Sequence, residues 1–178
     1  MSNSFDTAVE KVIKAEGGFT NDPRDRGNWT SGVIGKGKCN GTKYGISAMS
    51  YPNVDIVNLT KDQAKAIYKA YYWDANHLDK LKPNLAVQIF DAAVQHGSAT
   101  AVKLLQKLIG VNVDGVLGDG TIKTLEFLNQ ETLVFRYIAK RLEYYASLKT
   151  FSTYGKGWVN RMVANLEDAA QACEEVAP

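Results

Sequence analysis

The sequence predicts an α+β protein that is mostly α-helical and has a small β-hairpin region near its N-terminus. Apolar residues recur at helical spacing in the first 16 residues and through most of the chain after residue 60. The stretch between Thr20 and Ser47 has little helical period and holds six glycines among asparagines and aspartates, which is typical of turns and short hairpins. The chain has 178 residues and is 45% apolar, enough for one domain, or one domain with two lobes, around a hydrophobic core.

The first helix is expected to have Ser4 as its N-cap and to stop at the pair Gly17–Gly18. Its apolar face consists of Phe5, Val9, Val12 and Ile13. Glu16 lies four residues after Val12 and three after Ile13, so we expect it to continue this face instead of facing water. Because burial disfavours the charged form of a carboxyl, Glu16 is a candidate proton donor near neutral pH.

Six further helices are expected after residue 60. Thr60 and Gln63 form a capping box for the first of them. Three tyrosines at helical spacing follow and are expected in the core: Tyr68, Tyr71 and Tyr72. The second helix opens at Pro83 and ends at Gly97, and Ser98 is expected to cap the third.

The third helix is expected to end at Gly110, and a loop from Phe151 to Gly157 is expected to precede the last helix. Each of the last three helices carries an apolar stripe. These stripes are Ile122, Leu125 and Leu128; then Leu133, Val134, Tyr137, Ile138, Leu142 and Tyr145; and finally Val159, Met162, Val163, Leu166, Ala170 and Cys173.

Composition excludes several classes of protein. The net charge of +2 is too small to indicate a nucleic-acid-binding protein. Cys39 and Cys173 lie at opposite ends of the chain and are expected to be free thiols. The first 14 residues contain no apolar run typical of a signal peptide, and no stretch is long enough for membrane insertion.

Motifs for metal, nucleophile and phosphate chemistry are missing. The chain has only His77 and His96, with no His-Glu-x-x-His pattern for zinc. It has no Gly-x-Ser-x-Gly elbow. The run Gly32–Lys36 has the wrong spacing for a phosphate loop, and Asp114–Asp119 lacks the alternating acids of a calcium loop. No metal or organic cofactor is therefore expected.

Carboxylates remain as candidate catalytic groups. Glu16 is followed by two glycines, which allow close approach of backbone or substrate, and then by Asp22 and Asp25. A protonated acid that faces a second carboxylate is the arrangement that glycoside hydrolysis needs. The alternative is that Glu16 is a solvated residue at a helix end and that both aspartates only form turns.

Several blocks of sequence, in order along nearly the whole chain, carry a family resemblance. They are Glu16–Phe19, Asn21–Gly27, Thr42–Ser47, Gln63–Tyr68, Tyr72–Asp74, Phe90–Val94, Asp114–Gly118 and Gly155–Arg161. Together they resemble glycoside hydrolase family 108, whose members are N-acetylmuramidases and include many phage endolysins. The block at residues 114–118 is similar to the C-terminal peptidoglycan-binding region of that family.

The resemblance implies catalytic roles for Glu16, Asp25 and Thr42. Glu16 takes the position of the catalytic glutamate, and Asp25 follows it at the nine-residue spacing seen in phage lysozymes of the T4 type. Whether Asp22 or Asp25 is the second carboxylate stays open, as does an inverting or a retaining outcome. This chain departs from the family pattern by an insert before Thr42, residues Asn28–Gly41.

A second group of residues is expected to bind substrate: Asp22, Tyr44, Trp73, Trp158, Asn160 and Arg161. Aromatic faces suit pyranose rings, although each aromatic residue would also suit a core. Lys36, Lys38 and Lys43 form either a solvated loop or a contact for anionic wall polymer.

The resemblance thus implies a lysozyme-like fold with a catalytic lobe at 1–92 and a helical peptidoglycan-binding lobe at 93–178. The expected reaction is hydrolysis of the β-1,4 bond between N-acetylmuramic acid and N-acetylglucosamine in peptidoglycan glycan strands. The expected protein is a monomer that stays in the host cytoplasm until a holin releases it to the periplasm and cell wall, although a bacterial origin stays open.

Two alternatives to a muramidase remain open. One is a non-enzymatic peptidoglycan-binding or secretion-related protein on the same scaffold, because fold does not dictate function. The other is a lytic transglycosylase, which uses one acid and no second carboxylate.

Overall fold

The structure, a computed structural model, describes residues 4–174, which contain seven α-helices and one two-stranded antiparallel hairpin. The helices are α1 (Ser4–Glu16), α2 (Lys61–Tyr68), α3 (Pro83–His96), α4 (Ser98–Ile109), α5 (Asp119–Glu126), α6 (Gln130–Ser147) and α7 (Phe151–Glu174), and the strands are β1 (Thr42–Lys43) and β2 (Ile46–Ser47). The prediction of a mostly α-helical, lysozyme-like α+β fold with a hairpin near the N-terminus is confirmed. None of the helices in this range has the length and apolarity that a membrane crossing requires.

The chain divides into two compact units, Met1–Tyr71 and Tyr72–Pro178. In the first unit, α1 buries the face predicted for it, together with Ala8. The remaining buried apolar side chains of this unit come from the hairpin, the segment before α2, and α2 itself: Ile46, Ala48, Ile56, Leu59, Ala64 and Tyr68.

A two-residue turn at Tyr44 and Gly45 joins β1 to β2, pairing Thr42 with Ser47 and Lys43 with Ile46. Tyr44 has φ 53° and Gly45 has φ 77°, the left-handed values that a tight hairpin turn of this length demands. Such a turn strains Tyr44 and suits glycine at position 45.

The capping box that opens α2 is confirmed, with Thr60 and Gln63 bonding each other's backbone as predicted. The prediction that all three tyrosines after it lie in the core is wrong. Tyr68 is buried, but Tyr71 is 60% exposed. A π-helical turn at Lys69–Trp73 follows α2, and its extra residue per turn rotates the later side chains away from the buried face.

In the second unit, α3 packs against α4, α6 and α7, and α4 also contacts α5 and α6. Leu85, Ile89 and Phe90 of α3 are fully buried at these contacts. The predicted C-terminal ends of both helices are confirmed. Helix α3 ends at His96, before Gly97, and α4 ends before Gly110, whose φ is 74°.

Three predicted details of the helix ends are wrong. Ser4 is the first residue of α1 and not the residue before it. Ser98 does not cap α4, since the N-cap is Gly97 and the Ser98 hydroxyl accepts a hydrogen bond from Asn76 Nδ2 at 2.9 Å. The predicted loop Phe151–Gly157 is the first part of α7. Its two glycines read as a turn, but Gly155 sits inside the helix because its missing side chain leaves room for the Phe151 ring.

Candidate active site

Glu16 is the last residue of α1, and Gly17 ends the helix with φ 79°. The glutamate is exposed, so the expectation that it continues the buried face of α1 is wrong. That face stops at Ile13, because the last turn of the helix runs beyond the core of its unit. The carboxyl group of Glu16 is consequently open to a large substrate.

The hairpin turn lies directly against Glu16. A Cβ atom added to Gly45 would come within 2.9 Å of Glu16 Cγ and 2.3 Å of Tyr68 Oη. Tyr68 Oη also donates a hydrogen bond to the Tyr44 carbonyl at 2.9 Å, which ties the turn to α2. Three elements thereby position the catalytic candidate, and the sequence analysis had not assigned Gly45 or Tyr68 to the site.

Thr42 stands at the start of the hairpin, beside the segment that follows Glu16. Thr20 and Thr42 exchange two backbone hydrogen bonds, of 2.9 and 2.8 Å. The Thr42 hydroxyl donates to Asn28 Oδ1 at 2.8 Å. Thr42 therefore has a fixed position, and its hydroxyl proton is donated to Asn28.

Asn28 connects three segments of the site and was missed by the sequence analysis, which treated it as the start of the insert. Its side chain is fully buried, and its Nδ2 donates to the Asp22 carbonyl at 3.0 Å. Its own carbonyl accepts from the Gly41 N–H at 3.1 Å. Asn28 thus joins the aspartate loop, the end of the insert and Thr42. An asparagine in a glycine-rich loop carries no local signal of such a role.

The two aspartates differ in their surroundings. Asp22 accepts hydrogen bonds from the Arg24 guanidinium at 2.7 to 3.2 Å and from its backbone N–H at 2.9 Å, which lowers the pKa of Asp22. Asp25 is exposed and accepts one hydrogen bond, from the Gly27 N–H at 2.8 Å, as the cap of a 3-10 turn at Arg26–Asn28. Within residues 4–174, no cation lies within ion-pair distance of Asp25.

The predicted substrate residues of the second unit fall into different environments. Trp73 is only 4% exposed and packs edge-on against Phe90, so its face is unavailable to a sugar and a substrate contact there is not supported. Trp158 is half-buried and stacks on Tyr145 with ring centroids 4.9 Å apart. Asn160 is exposed on α7.

Arg161 belongs to a buried ionic cluster around Asp91 of α3. Arg161 Nη2 lies 2.6 Å from Asp91 Oδ1, and Arg141 Nη2 lies 2.7 Å from Asp91 Oδ2. Asn165 adds a hydrogen bond of 3.0 Å. Burial alone would raise the pKa of Asp91, but the two guanidinium groups outweigh it and hold the pKa at about 2. Arg161 therefore has a structural partner, which the sequence analysis did not identify.

In the part of the chain that the structure describes, no group of three or more histidine, cysteine, aspartate or glutamate side chains could hold a metal ion. Three carboxylates of the first unit, Glu16, Asp22 and Asp25, can serve proton transfer and charge stabilisation.

Comparisons with known proteins bear on the family of this chain. Residues 9–97 match the family model described as Glycosyl hydrolase 108, and residues 100–163 match that of a Predicted Peptidoglycan domain. Among solved structures, the chain is similar to SagA of Brucella abortus, with 30% identity over 94% of each chain and a TM-score of 0.77. No curated protein matches the sequence significantly. The chain belongs to the glycosyl hydrolase 108 family and is a glycoside hydrolase that acts on peptidoglycan.

Proposed function

We propose that the protein hydrolyses the β-1,4 bond between N-acetylmuramic acid and N-acetylglucosamine, with Glu16 as the general acid. One observation carries this proposal: Glu16 ends α1 with an exposed side chain that rests against the hairpin turn at Gly45. A carboxyl held at an open helix end can reach the oxygen between two sugars of a polymer. In this role Glu16 protonates that oxygen as the bond to it breaks.

Asp25 is the better candidate for the second carboxylate. The Asp22 oxygens are occupied by Arg24, whereas Asp25 is exposed and accepts a single backbone hydrogen bond. A free carboxylate can stabilise positive charge on the sugar or take a proton from water.

Thr42 is suited to position the attacking water. Because its hydroxyl proton is donated to Asn28, its remaining lone pairs can only accept hydrogen bonds. A water molecule that donates one proton to Thr42 Oγ1 would keep its own lone pairs free to attack the sugar. Tyr44, at the adjacent turn, remains a proposed sugar contact, as do Trp158 and Asn160 in the second unit.

The Glu16→Gln variant tests the central assignment. The amide keeps the shape of the side chain but cannot give up a proton, so clearing of a suspension of purified cell walls should slow by at least about a hundredfold. Asp6→Asn, an exposed acid on the same helix, should clear walls at the wild-type rate. Equal melting temperatures would show that both variants fold, and near-normal lysis by Glu16→Gln would refute the role.

The second carboxylate is tested by comparing Asp25→Asn with Asp22→Asn. We expect Asp25→Asn to lose at least about tenfold in rate with little change in stability, in line with acid–base contributions. Asp22→Asn removes the partner of Arg24 and should have the smaller effect on rate. The reverse order would assign the second carboxylate to Asp22.

Product analysis tests the bond that is cleaved. Hydrolysis at this bond leaves reducing N-acetylmuramic acid ends, whereas a lytic transglycosylase leaves 1,6-anhydro ends. Mass spectrometry of digested walls should find only reducing ends. Anhydro products would identify the transglycosylase, and reducing N-acetylglucosamine ends would identify a different glycosidase.

We further propose that the protein is a monomeric phage endolysin that is kept in the host cytoplasm until a holin releases it. The resemblance of its site to that of a family with many endolysins supports this role. Expression in a Gram-negative host should be tolerated, and a membrane-permeabilising agent should trigger rapid lysis that Glu16→Gln does not cause. Lysis without the agent would contradict holin-dependent release.

A further inference from the structure

A surface groove of about 280 Å³ opens in the second unit between the end of α4 and the start of α6. Leu108 and Ile109 line it from α4, Leu128 lines it from the link between α5 and α6, and Thr132, Leu133 and Arg136 line it from α6. The groove lies within residues 100–163, which match the peptidoglycan domain model, although that match does not say where a ligand would bind.

Three of the apolar side chains that line the groove, Leu108, Ile109 and Leu128, remain partly open to water, whereas Leu133 is buried. Leu128 is 40% exposed, and Phe127, the residue before it in the chain, is 88% exposed. Exposed apolar area costs about 25 cal/mol per Å² relative to burial, so a cluster of this kind gains when a ligand covers it.

Arg136 supplies an uncompensated charge at the same groove. Its side chain is exposed, and no acidic group of residues 4–174 lies within ion-pair distance of it. The two buried arginines of this unit, by contrast, both pair with Asp91. Thr132 lies one helical turn before Arg136, and its hydroxyl makes no hydrogen bond within the described range.

We propose that this groove binds the stem peptide of peptidoglycan, with a peptide carboxylate on Arg136 and Thr132 and alanine methyl groups on the leucines. Stem peptides carry several free carboxylates between small apolar residues, which matches an isolated cation above an apolar floor. A glycan strand fits less well because no aromatic ring lines the groove. The proposal rests on the proposed function only in taking peptidoglycan as the substrate.

Binding of a soluble muropeptide tests this site without requiring catalysis. The probe is the N-acetylglucosaminyl-N-acetylmuramoyl tetrapeptide. Its single glycosidic bond runs from N-acetylglucosamine to N-acetylmuramic acid, so it lacks the bond proposed for cleavage, which runs from N-acetylmuramic acid to N-acetylglucosamine. The reference ligand is the same disaccharide without its peptide. Titrations followed by amide shifts of Thr132 and Leu133 should show the peptide-bearing probe binding at least about tenfold more tightly, as charge-assisted hydrogen bonds allow.

Substitutions at Arg136 test whether its positive charge contributes to binding of the probe. Arg136→Ala should weaken binding of the tetrapeptide probe about tenfold and Arg136→Glu further, while Arg136→Lys should keep part of the affinity. Lys123→Ala, an exposed cation on α5, is the control and should bind like the wild type. Positions 136 and 123 are both exposed, so the amide spectra of the four variants should otherwise remain those of the folded protein.

Two results would overturn the proposal: equal affinity for the disaccharide with and without peptide, or unchanged affinity in Arg136→Ala. Neither result touches the role of Glu16, because the Glu16→Gln protein should bind the probe as the wild type does. Conversely, a fully active Glu16→Gln protein would refute the proposed acid while leaving the peptide groove intact.

Discussion

Asp91 pairs with two arginines in the interior of the second unit. Arg141 is fully buried, and Arg161 is largely buried beside it, so the Asp91 carboxylate compensates two charges removed from water. Removing one partner of a buried ionic cluster is strongly destabilising, because it leaves the other charges without compensation. The cluster ties α3 to α6 and α7, since Asp91, Arg141 and Arg161 come from these three helices.

Asp91→Asn should therefore lower the free energy of unfolding by about 3–5 kcal/mol. Urea unfolding followed by circular dichroism measures this loss. Glu143→Gln breaks the exposed pair with Lys140 and should change stability by less than about 1 kcal/mol. A loss below about 1 kcal/mol in Asp91→Asn would mean that the arginines find other partners.

The same carboxylate predicts an acid limit to stability. Its folded pKa of about 2 lies below the ordinary value of 3.8, so the folded state holds the charged form. The stabilisation is fully present above about pH 4 and is lost as the pH falls toward 2. The unfolding free energy of the wild type should drop in this interval, and that of Asp91→Asn should drop less.

His96 predicts a second pH effect at milder acidity. Burial and the charge of Arg141 lower its pKa from 6.5 to about 4, and its Nε2 has no hydrogen-bond partner within residues 4–174. Between pH 6.5 and 4 the unfolded chain takes up a proton that the folded chain does not, so stability should fall as the pH drops. Melting temperatures at pH 7 and 4.5 should differ less in His96→Gln than in the wild type. His77→Gln, at an exposed position, should keep the wild-type difference.

At the scale of elements, the hairpin turn packs against Glu16, and we expect it to fix the position of this side chain. Gly45→Ala would place a methyl group 2.3 Å from Tyr68 Oη and 2.9 Å from Glu16 Cγ on a backbone with φ 77°. We expect a loss of about 1–3 kcal/mol from strain, together with slower wall lysis because Glu16 must move. Gly35→Ala has nearly the same φ but open space around it, so it should lose stability without a matching loss of activity. Normal lysis by folded Gly45→Ala would show that the turn does not position the acid.

The two ends of the insert Asn28–Gly41 are anchored to the first unit, whereas its middle is exposed. Asn28 is buried, and Trp29 Nε1 donates to the Pro23 carbonyl at 2.9 Å. Thr30 and Lys38 close the loop with a backbone hydrogen bond of 2.9 Å. Beyond them, Val33 and Ile34 are largely exposed. The anchored ends of the insert therefore belong to the site, whereas residues 31–37 do not.

Replacing residues 31–37 by two glycines should leave stability and wall lysis close to normal, because surface loops tolerate length changes. Asn28→Ala should instead cost about 1–3 kcal/mol, since it leaves buried hydrogen-bonding groups unpaired, and should slow lysis through Thr42. Thermal melting and wall clearing measure both effects. Loss of cooperative melting in the shortened protein would place residues 31–37 in the core.

For the whole molecule, the domain division expected from the sequence, 1–92 and 93–178, remains a proposal. Its boundary falls inside α3, whereas the division into compact units falls between Tyr71 and Tyr72. Because Leu85, Ile89 and Phe90 are fully buried side chains of α3, a fragment that lacks them exposes a large apolar area.

Two fragments test this boundary. A chain of residues 72–178 should unfold cooperatively and bind insoluble walls without cleaving them. A chain of residues 93–178 should melt without a cooperative transition, because it lacks most of α3. Cooperative folding of the shorter fragment would support the division at residue 92.

Much of the architecture could be predicted because its signals are local. The capping box at Thr60, the helix stops at Gly97 and Gly110, and the hairpin region depend on residues a few positions apart. The failures came where side-chain packing or a change of helical period overrides the usual meaning of a local signal. Gly155 lies in a helix because Phe151 packs on it, and a π-helical turn moved Tyr71 into solvent.

By itself, the sequence determined the fold class, the family and the identity of the candidate acid, since these depend on periodicity and on the spacing of a few residues. Only the tertiary structure decided how that acid is held and which neighbours are free. It exposed Glu16, brought Gly45 against it and placed the Tyr68 hydroxyl beside Gly45. In the folded protein Asp22 pairs with Arg24, whereas Asp25 is exposed and accepts a single backbone hydrogen bond. The contact between Glu16 and Gly45 joins residues that are far apart along the chain, and the Asp22–Arg24 pair depends on the conformation of their loop, so side-chain spacing alone specified neither.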